Sequence, residues 1–161
     1  MSMIRKADIE DVDDIIHLIE LRMQWMDQKG LEHWNKHNYL EIYPRSYFIE
    51  NIEHFYVAFQ NDRMTGAICL YTTDPRWKDG RYAYYIHHLV ADTTQKGVGK
   101  ELIEYTFDLA KKENIDCVRL DYDVDCIPLK KYYTDLGFVP SLSFQEGSYK
   151  GVLAEKEIRK E

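Results

Sequence analysis

The sequence predicts an α+β domain, a mixed β-sheet with helices on its faces. Three observations carry that prediction. Apolar residues repeat at three- and four-residue steps in some stretches and alternate in others. Asn61 and Asp62 form a turn signal between two β-rich runs. A glycine loop, in "TTQKGVGKELIEYTFDLA" from Thr93 to Ala110, stands between a β-rich stretch and a run with helical spacing.

Met3 to Ala7 reads as a strand. Asp8 is placed to cap a first helix whose opening turn gains negative charge from Asp11. Its stripe is Val12, Ile15, Ile16, Ile19, Met23 and Met26, until Gly30 interrupts. Pro44 opens a second short helix through about Glu53. "HFYVAFQ" and "MTGAICLYTT" form an antiparallel hairpin, and the polar loop "DPRWKDG" leads to the strand "RYAYYIHHLVA". After the glycine loop, Leu102, Thr106, Leu109 and Ala110 give the next helix its buried stripe. "CVRLDYDV" alternates a polar face of Cys117, Arg119, Asp121 and Asp123 with an apolar one, as a half-buried strand does. Pro128 starts a helix with Leu129, Tyr132, Tyr133 and Leu136 on one stripe, and Gly137 ends it in a left-handed cap. Two strands joined at Glu146 and Gly147 complete the sheet.

The 161 residues suit one domain, 1–161, with a sizeable core. No apolar run approaches the ~20 residues of a membrane span, and no signal-peptide core follows Met1, so no membrane partner and a cytoplasmic location are expected. Three cysteines without a CxxC pair argue against a disulfide framework and a zinc ribbon. His33 and His37 lack the glutamate of an HExxH site, so no metal is expected. The net charge of −7, without a basic cluster, disfavours nucleic acid and would draw a cationic small molecule.

Backbone N–H groups of a glycine loop and its helix point at one spot where the helix dipole favours an anion. A Walker A loop fails on Thr94 and Glu101, and a dinucleotide fingerprint fails on Leu102. Alone, the loop is equally readable as a tight turn.

The pair "YIHHLVADTTQKGVGKELI" and "RLDYDVDCIPLKKYYTDLGF" resembles the core of the GNAT superfamily of acyl-CoA-dependent N-acyltransferases: strand, glycine loop, helix, strand, and a helix ending Tyr-x-x-x-Gly-Phe. The opening strand and helix, with "GLEHW", are similar to a bacterial small-molecule branch. The resemblance implies a mostly antiparallel mixed sheet flanked by about four helices, with acetyl-CoA (coenzyme A) as co-substrate. Its pyrophosphate would sit on Gln95, Lys96, Gly97, Val98, Gly99 and Lys100, and its pantetheine arm would pair with Leu89, Val90 and Ala91. Thr94 departs from the family's Arg or Gln, and Cys126 replaces an asparagine that bonds the cofactor arm. Many members are dimers, so a homodimer is one assembly the resemblance allows.

Acyl transfer to an amine needs a base for the ammonium proton and an acid for the leaving thiolate. Tyr133 matches the family's acid; read from the residues alone, it is a packing residue on a helical stripe. Asp121 and His87 are rival bases, the first also readable as a surface ion-pair partner, the second as a hydrogen-bonded sheet histidine. Strict alternation turns His88 to the opposite face from His87. Trp34, Tyr39 and Trp77 lie in segments that members use to wall the acceptor pocket, where aromatics could enclose an amine, or they simply pack. The function implied is an N-acetyltransferase acting on a primary amine of a small molecule. The alternatives are a protein N-terminus or lysine as acceptor, or a catalytically degenerate acyl-CoA-binding sensor.

Overall fold

The computed structural model describes residues 2–30 and 39–159. Among the described residues seven strands form one sheet in the order β1-β2-β3-β4-β5-β7-β6. They are β1 (Met3–Lys6), β2 (Phe55–Gln60), β3 (Arg63–Tyr71), β4 (Ala83–Ala91), β5 (Cys117–Asp123), β6 (Val139–Glu146) and β7 (Tyr149–Glu157). Among the described residues the α-helices are α1 (Val12–Gln28), α2 (Tyr39–Ile42), α3 (Arg45–Glu50), α4 (Val98–Lys112) and α5 (Ile127–Asp135). The pairings β1·β2, β2·β3, β5·β7 and β6·β7 are antiparallel and β4·β5 is parallel, which is the mixed, mostly antiparallel sheet expected. The chain divides into two compact units, Met1–Leu70 with His88–Tyr105 and Tyr71–His87 with Thr106–Glu161.

In the first unit, Asp8 caps a short 3-10 turn, Ile9–Asp11, that runs into α1. Its carboxylate accepts from the Glu10 N–H at 2.9 Å, and its own N–H donates to Asp11 at 2.8 Å. Arg5 grips Asp11 through two bonds of 2.8 and 3.0 Å, and these hold the Asp11 carboxyl below the usual range. The stripe of α1 is turned slightly from the predicted one. Val12, Ile15, Leu18, Ile19 and Met26 are buried, while Ile16 and Met23 are half-buried.

The single helix predicted from Pro44 to about Glu53 is corrected to α3 followed by a 3-10 turn, Ile52–His54, and α2 precedes Pro44 as a separate short helix. Pro44 stands at the N-cap of α3 in an extended conformation, ahead of the helix and not inside it. A proline has no N–H and disfavours the helical conformation in the residue before it, so α2 cannot run through Tyr43 into α3.

The β2–β3 hairpin turns on Asn61 and Asp62 with φ of 51° and 66°. Both are left-handed, as a type I′ turn matched to strand twist requires. Within β4, His88 has φ +49° and breaks the alternation assumed for the strand, and the consecutive Tyr85 and Ile86 are both buried.

In the second unit β7 lies between β5 and β6, in register from Cys117↔Glu157 to Asp123↔Gly151 on one side. The prediction that β5 is half-buried with a wet polar face is corrected, because Arg119 on that face is fully buried. The connection between β3 and β4 covers it. Asp79 pairs with the guanidinium, and the Trp77 ring lies 4.1 Å from it. Arg119 also donates to Glu155 at 2.7 Å and to the Tyr85 hydroxyl at 3.0 Å, so the buried charge is paired and hydrogen-bonded. Burial beside this cluster pushes the Cys117 thiol up to about 12.

Helix α5 carries no fully buried residue; Leu129, Tyr133 and Leu136 are half-buried and Tyr132 is exposed, so the predicted stripe is only partly covered. Its end is as predicted. Gly137 has φ +99°, its N–H donates to Thr134 O at 3.0 Å, and the Phe138 N–H donates to Tyr133 O at 3.0 Å. This is a Schellman cap, completed by the Phe138 ring 5.8 Å from that of Tyr133. Among the described residues, no helix is long and apolar enough to cross a membrane.

Candidate active site

In the first unit, the end of β4 (Leu89, Val90 and Ala91) delivers the chain to the glycine loop. Asp92 shapes the approach. Its carboxylate accepts from the Thr94 N–H at 2.8 Å, from the Thr94 hydroxyl at 2.7 Å and from Arg63, while its own N–H donates to Thr65 O at 2.8 Å. Burial works against the ionised form of Asp92, but these bonds outweigh it and the carboxyl titrates below its usual range. Thr94, the departure from the family pattern, therefore builds the turn into the loop.

Gly97 has φ +87°, and a Cβ there would meet nothing within 4 Å, so the backbone is open on that side. The bond from the Glu101 N–H to Gly97 O, 3.0 Å, is the i−4 bond that opens α4. The N–H groups of Val98, Gly99 and Lys100 stand ahead of it, where a helix start leaves its donors for an external acceptor. The side chain of Val98 is buried, and Lys96 and Lys100 are exposed. The first turn of α4 is anchored twice. Gly66 on β3 would place a Cβ 2.7 Å from Val98 Cγ1 and 2.9 Å from Leu102 Cδ1, and the Ser2 N–H donates to Glu101 at 2.7 Å.

The two adjacent histidines have different surroundings. His87 is partly exposed, its ring sits edge-on to Tyr71, and its Nε2 lies 3.4 Å from the buried carboxylate of Asp74. Burial disfavours the ionised Asp74, yet the contacts from His87 and from the Arg76 N–H hold it below the usual range. His88 is enclosed by aromatics. Tyr39 meets its Nδ1, the Tyr47 hydroxyl lies 2.8 Å from its Nε2, and the Phe55 ring stacks at 6.0 Å. Tyr39, predicted at the acceptor pocket, is thus a partner of His88. Trp34 lies outside the described residues.

In the second unit, Asp121 accepts from the Tyr149 hydroxyl at 2.6 Å and pairs with Arg76 at 3.4 Å. Burial first, then Asp121, pushes the Tyr149 phenol well above its ordinary value. Arg76 also bonds Glu146 at 2.9 and 2.8 Å and lies over the Phe144 ring. Tyr133 packs beside Tyr122, ring centroids 5.8 Å apart, and Cys126 stands at the N-cap of α5 without a side-chain capping bond. Trp77, also predicted at the pocket, lies over Arg119. A cleft of about 460 Å³ is lined by Val124, Ser143, Phe144, Gln145, Lys150 and Gly151. No three metal-binding side chains gather among the described residues.

Asp74, Arg76, Tyr122 and Tyr149 were not singled out from the sequence. "DPR" at Asp74 to Arg76 reads as an ordinary polar loop, and only the fold aligns it with His87 and Asp121.

Residues 17–138, most of the chain, match the model of the Acetyltransferase (GNAT) family, so the chain belongs to that family of acyltransferase enzymes. Solved structures agree on the fold. A GNAT-family acetyltransferase from Listeria monocytogenes is 21% identical with a TM-score of 0.78, over 97% of this chain and 94% of that one. The paia N-acetyltransferase from Thermoplasma acidophilum, solved with coenzyme A, is 22% identical with a TM-score of 0.75, over 98% and 99%. The NatC complex bound to Gag peptide and CoA contains a chain 18% identical with a TM-score of 0.67, over 98% and 99%. No curated protein matches the chain.

Proposed function

We propose that the chain transfers an acetyl group from acetyl-CoA to a primary amine of a small molecule by direct attack. The observation that carries this reading is the open backbone at Gly97, next to the amide donors of Val98, Gly99 and Lys100 at the start of α4. Those residues fit a pyrophosphate, and Lys96 and Lys100 add positive charge. The Thermoplasma acidophilum relative, solved with coenzyme A, supports the same ligand.

Bound acetyl-CoA supplies the acyl group: the amine nitrogen bonds to the carbonyl carbon, the C–S bond breaks, and coenzyme A leaves as a thiolate. Tyr133 gives its phenolic proton to that thiolate. His87 takes the proton that the attacking nitrogen sheds. It is favoured over Asp121 because it is partly exposed and backed by Asp74, whereas Asp121 is already engaged by Tyr149 and Arg76. Cys126, a poor hydrogen-bonding group, contributes little to holding the cofactor arm. Trp77 keeps a packing role over Arg119.

The charge of −7 favours a cationic acceptor. The NatC neighbour, bound to Gag peptide, favours a protein acceptor as the second reading. Thiol release from acetyl-CoA, assayed across amines including polyamines and across peptides, separates them. Turnover on a small amine supports the proposal, turnover on peptides alone replaces it with the second reading, and tight binding without turnover on either leaves a sensor.

A further inference from the structure

Tyr122 is 3% exposed, and its hydroxyl is the buried side-chain polar atom that finds no hydrogen-bond partner among the described residues. Buried hydroxyls are nearly always bonded, so an orphan calls for an explanation. The residue sits on the apolar face of β5, opposite Val152 of β7, and its ring lies 5.8 Å from that of Tyr133 with the planes 30° apart. Burial raises the phenol above its ordinary value, so it stays protonated and acts as a donor.

We propose that the Tyr122 hydroxyl is a donor kept for the acyl carbonyl oxygen of a bound acyl-CoA, beside the tyrosine that serves the sulfur. The inference rests on the acetyltransferase reading. The carbonyl oxygen is joined to the carbon that carries the sulfur, so a donor next to Tyr133 is placed for it. As the amine bonds to that carbon the oxygen gains negative charge, and a donor already stripped of water holds it best in that state. The hydroxyl is covered in this structure. Its neighbour α5 has no fully buried residue, so a small shift of that helix uncovers it at low cost.

The test is Tyr122→Phe, which removes one oxygen. Ligand-free melting temperature and calorimetric binding of acetyl-CoA and of CoA are measured for both proteins, with turnover on the best amine. The expected result is a melting temperature that does not fall, acetyl-CoA bound several-fold more weakly, CoA bound as before, and turnover lowered about tenfold or more. Equal loss of both ligands, unchanged acetyl-CoA binding, or a lower melting temperature overturns the proposal, the last by showing that a water or the protein satisfies the hydroxyl. If wild type binds acetyl-CoA but turns over no acceptor, the enzyme reading fails while the ratio of the two affinities still decides Tyr122. If wild type binds neither ligand, both fall.

Discussion

Tyr133 and Arg119 show how differently two residues can be legible. Tyr133 stands out through "YYTDLGF", where a left-handed glycine and a following aromatic mark a helix end, and the Schellman cap bears that spacing out. Replacing it with phenylalanine keeps the rings of Tyr122 and Phe138 packed. Turnover is therefore expected to fall about 100-fold with acetyl-CoA affinity unchanged, as steady-state kinetics beside calorimetry would show. Unchanged turnover would remove Tyr133 as the acid. Arg119 reads from the sequence only as a member of a polar face, because alternation reports two faces without saying what covers either. Trp77, Asp79 and Glu155 close over it, and no local signal connects them to β5. Arg119→Ala leaves Glu155 and the Tyr85 hydroxyl without their donor in a buried setting, so about 3 kcal/mol or more should be lost in urea titration.

At the scale of elements, the Asn61-Asp62 turn and the strand–loop–helix order could be read because each has a local chemical cause: left-handed φ in the one, a change of hydrophobic period in the other. The left-handed His88 could not, since no side chain announces a positive φ in the middle of a strand. The short helix α2 ahead of Pro44 is likewise not announced by the sequence. Proline was credited with starting a helix when it was also ending one. Helix α4 supplies a test of how the cradle is held. Gly66→Ala drives a Cβ into Val98 and Leu102, so it should cost about 1–3 kcal/mol by overpacking and weaken CoA binding by displacing the first turn. Gly97→Ala meets no atom within 4 Å and costs only the strain of its positive φ, about 1 kcal/mol. Equal destabilisation in urea would show that Gly66 is not what seats the helix.

Across the whole molecule the formal charge is −7, yet several carboxylates are held ionised by individual arginines: Asp11 by Arg5, Asp79 by Arg119 and Glu157 by Arg81, all titrating below their usual range. Folding lowers these values, so the unfolded chain binds more protons in acid. Their contribution is complete above the ordinary carboxylate range near pH 4 and drains as pH falls through the lowered folded values. Urea midpoints measured from pH 7 to 3 should stay level and then drop steeply below about pH 4. A flat profile would mean that these pairs contribute nothing.

The place of β7 bears on how the chain is made. It follows every other strand in sequence but lies between β5 and β6, in unbroken register with β5 and with one register shift, between Pro140 and Ser143, against β6. During synthesis, β5 and β6 emerge with no direct pairing available to join them, and each must wait for β7 to be threaded as the keystone. Until then β5 offers the nascent chain an open edge of unpaired N–H and C=O groups, which is where chaperone capture or aggregation would act. A truncation that removed β7 would take out an interior strand, not trim a margin.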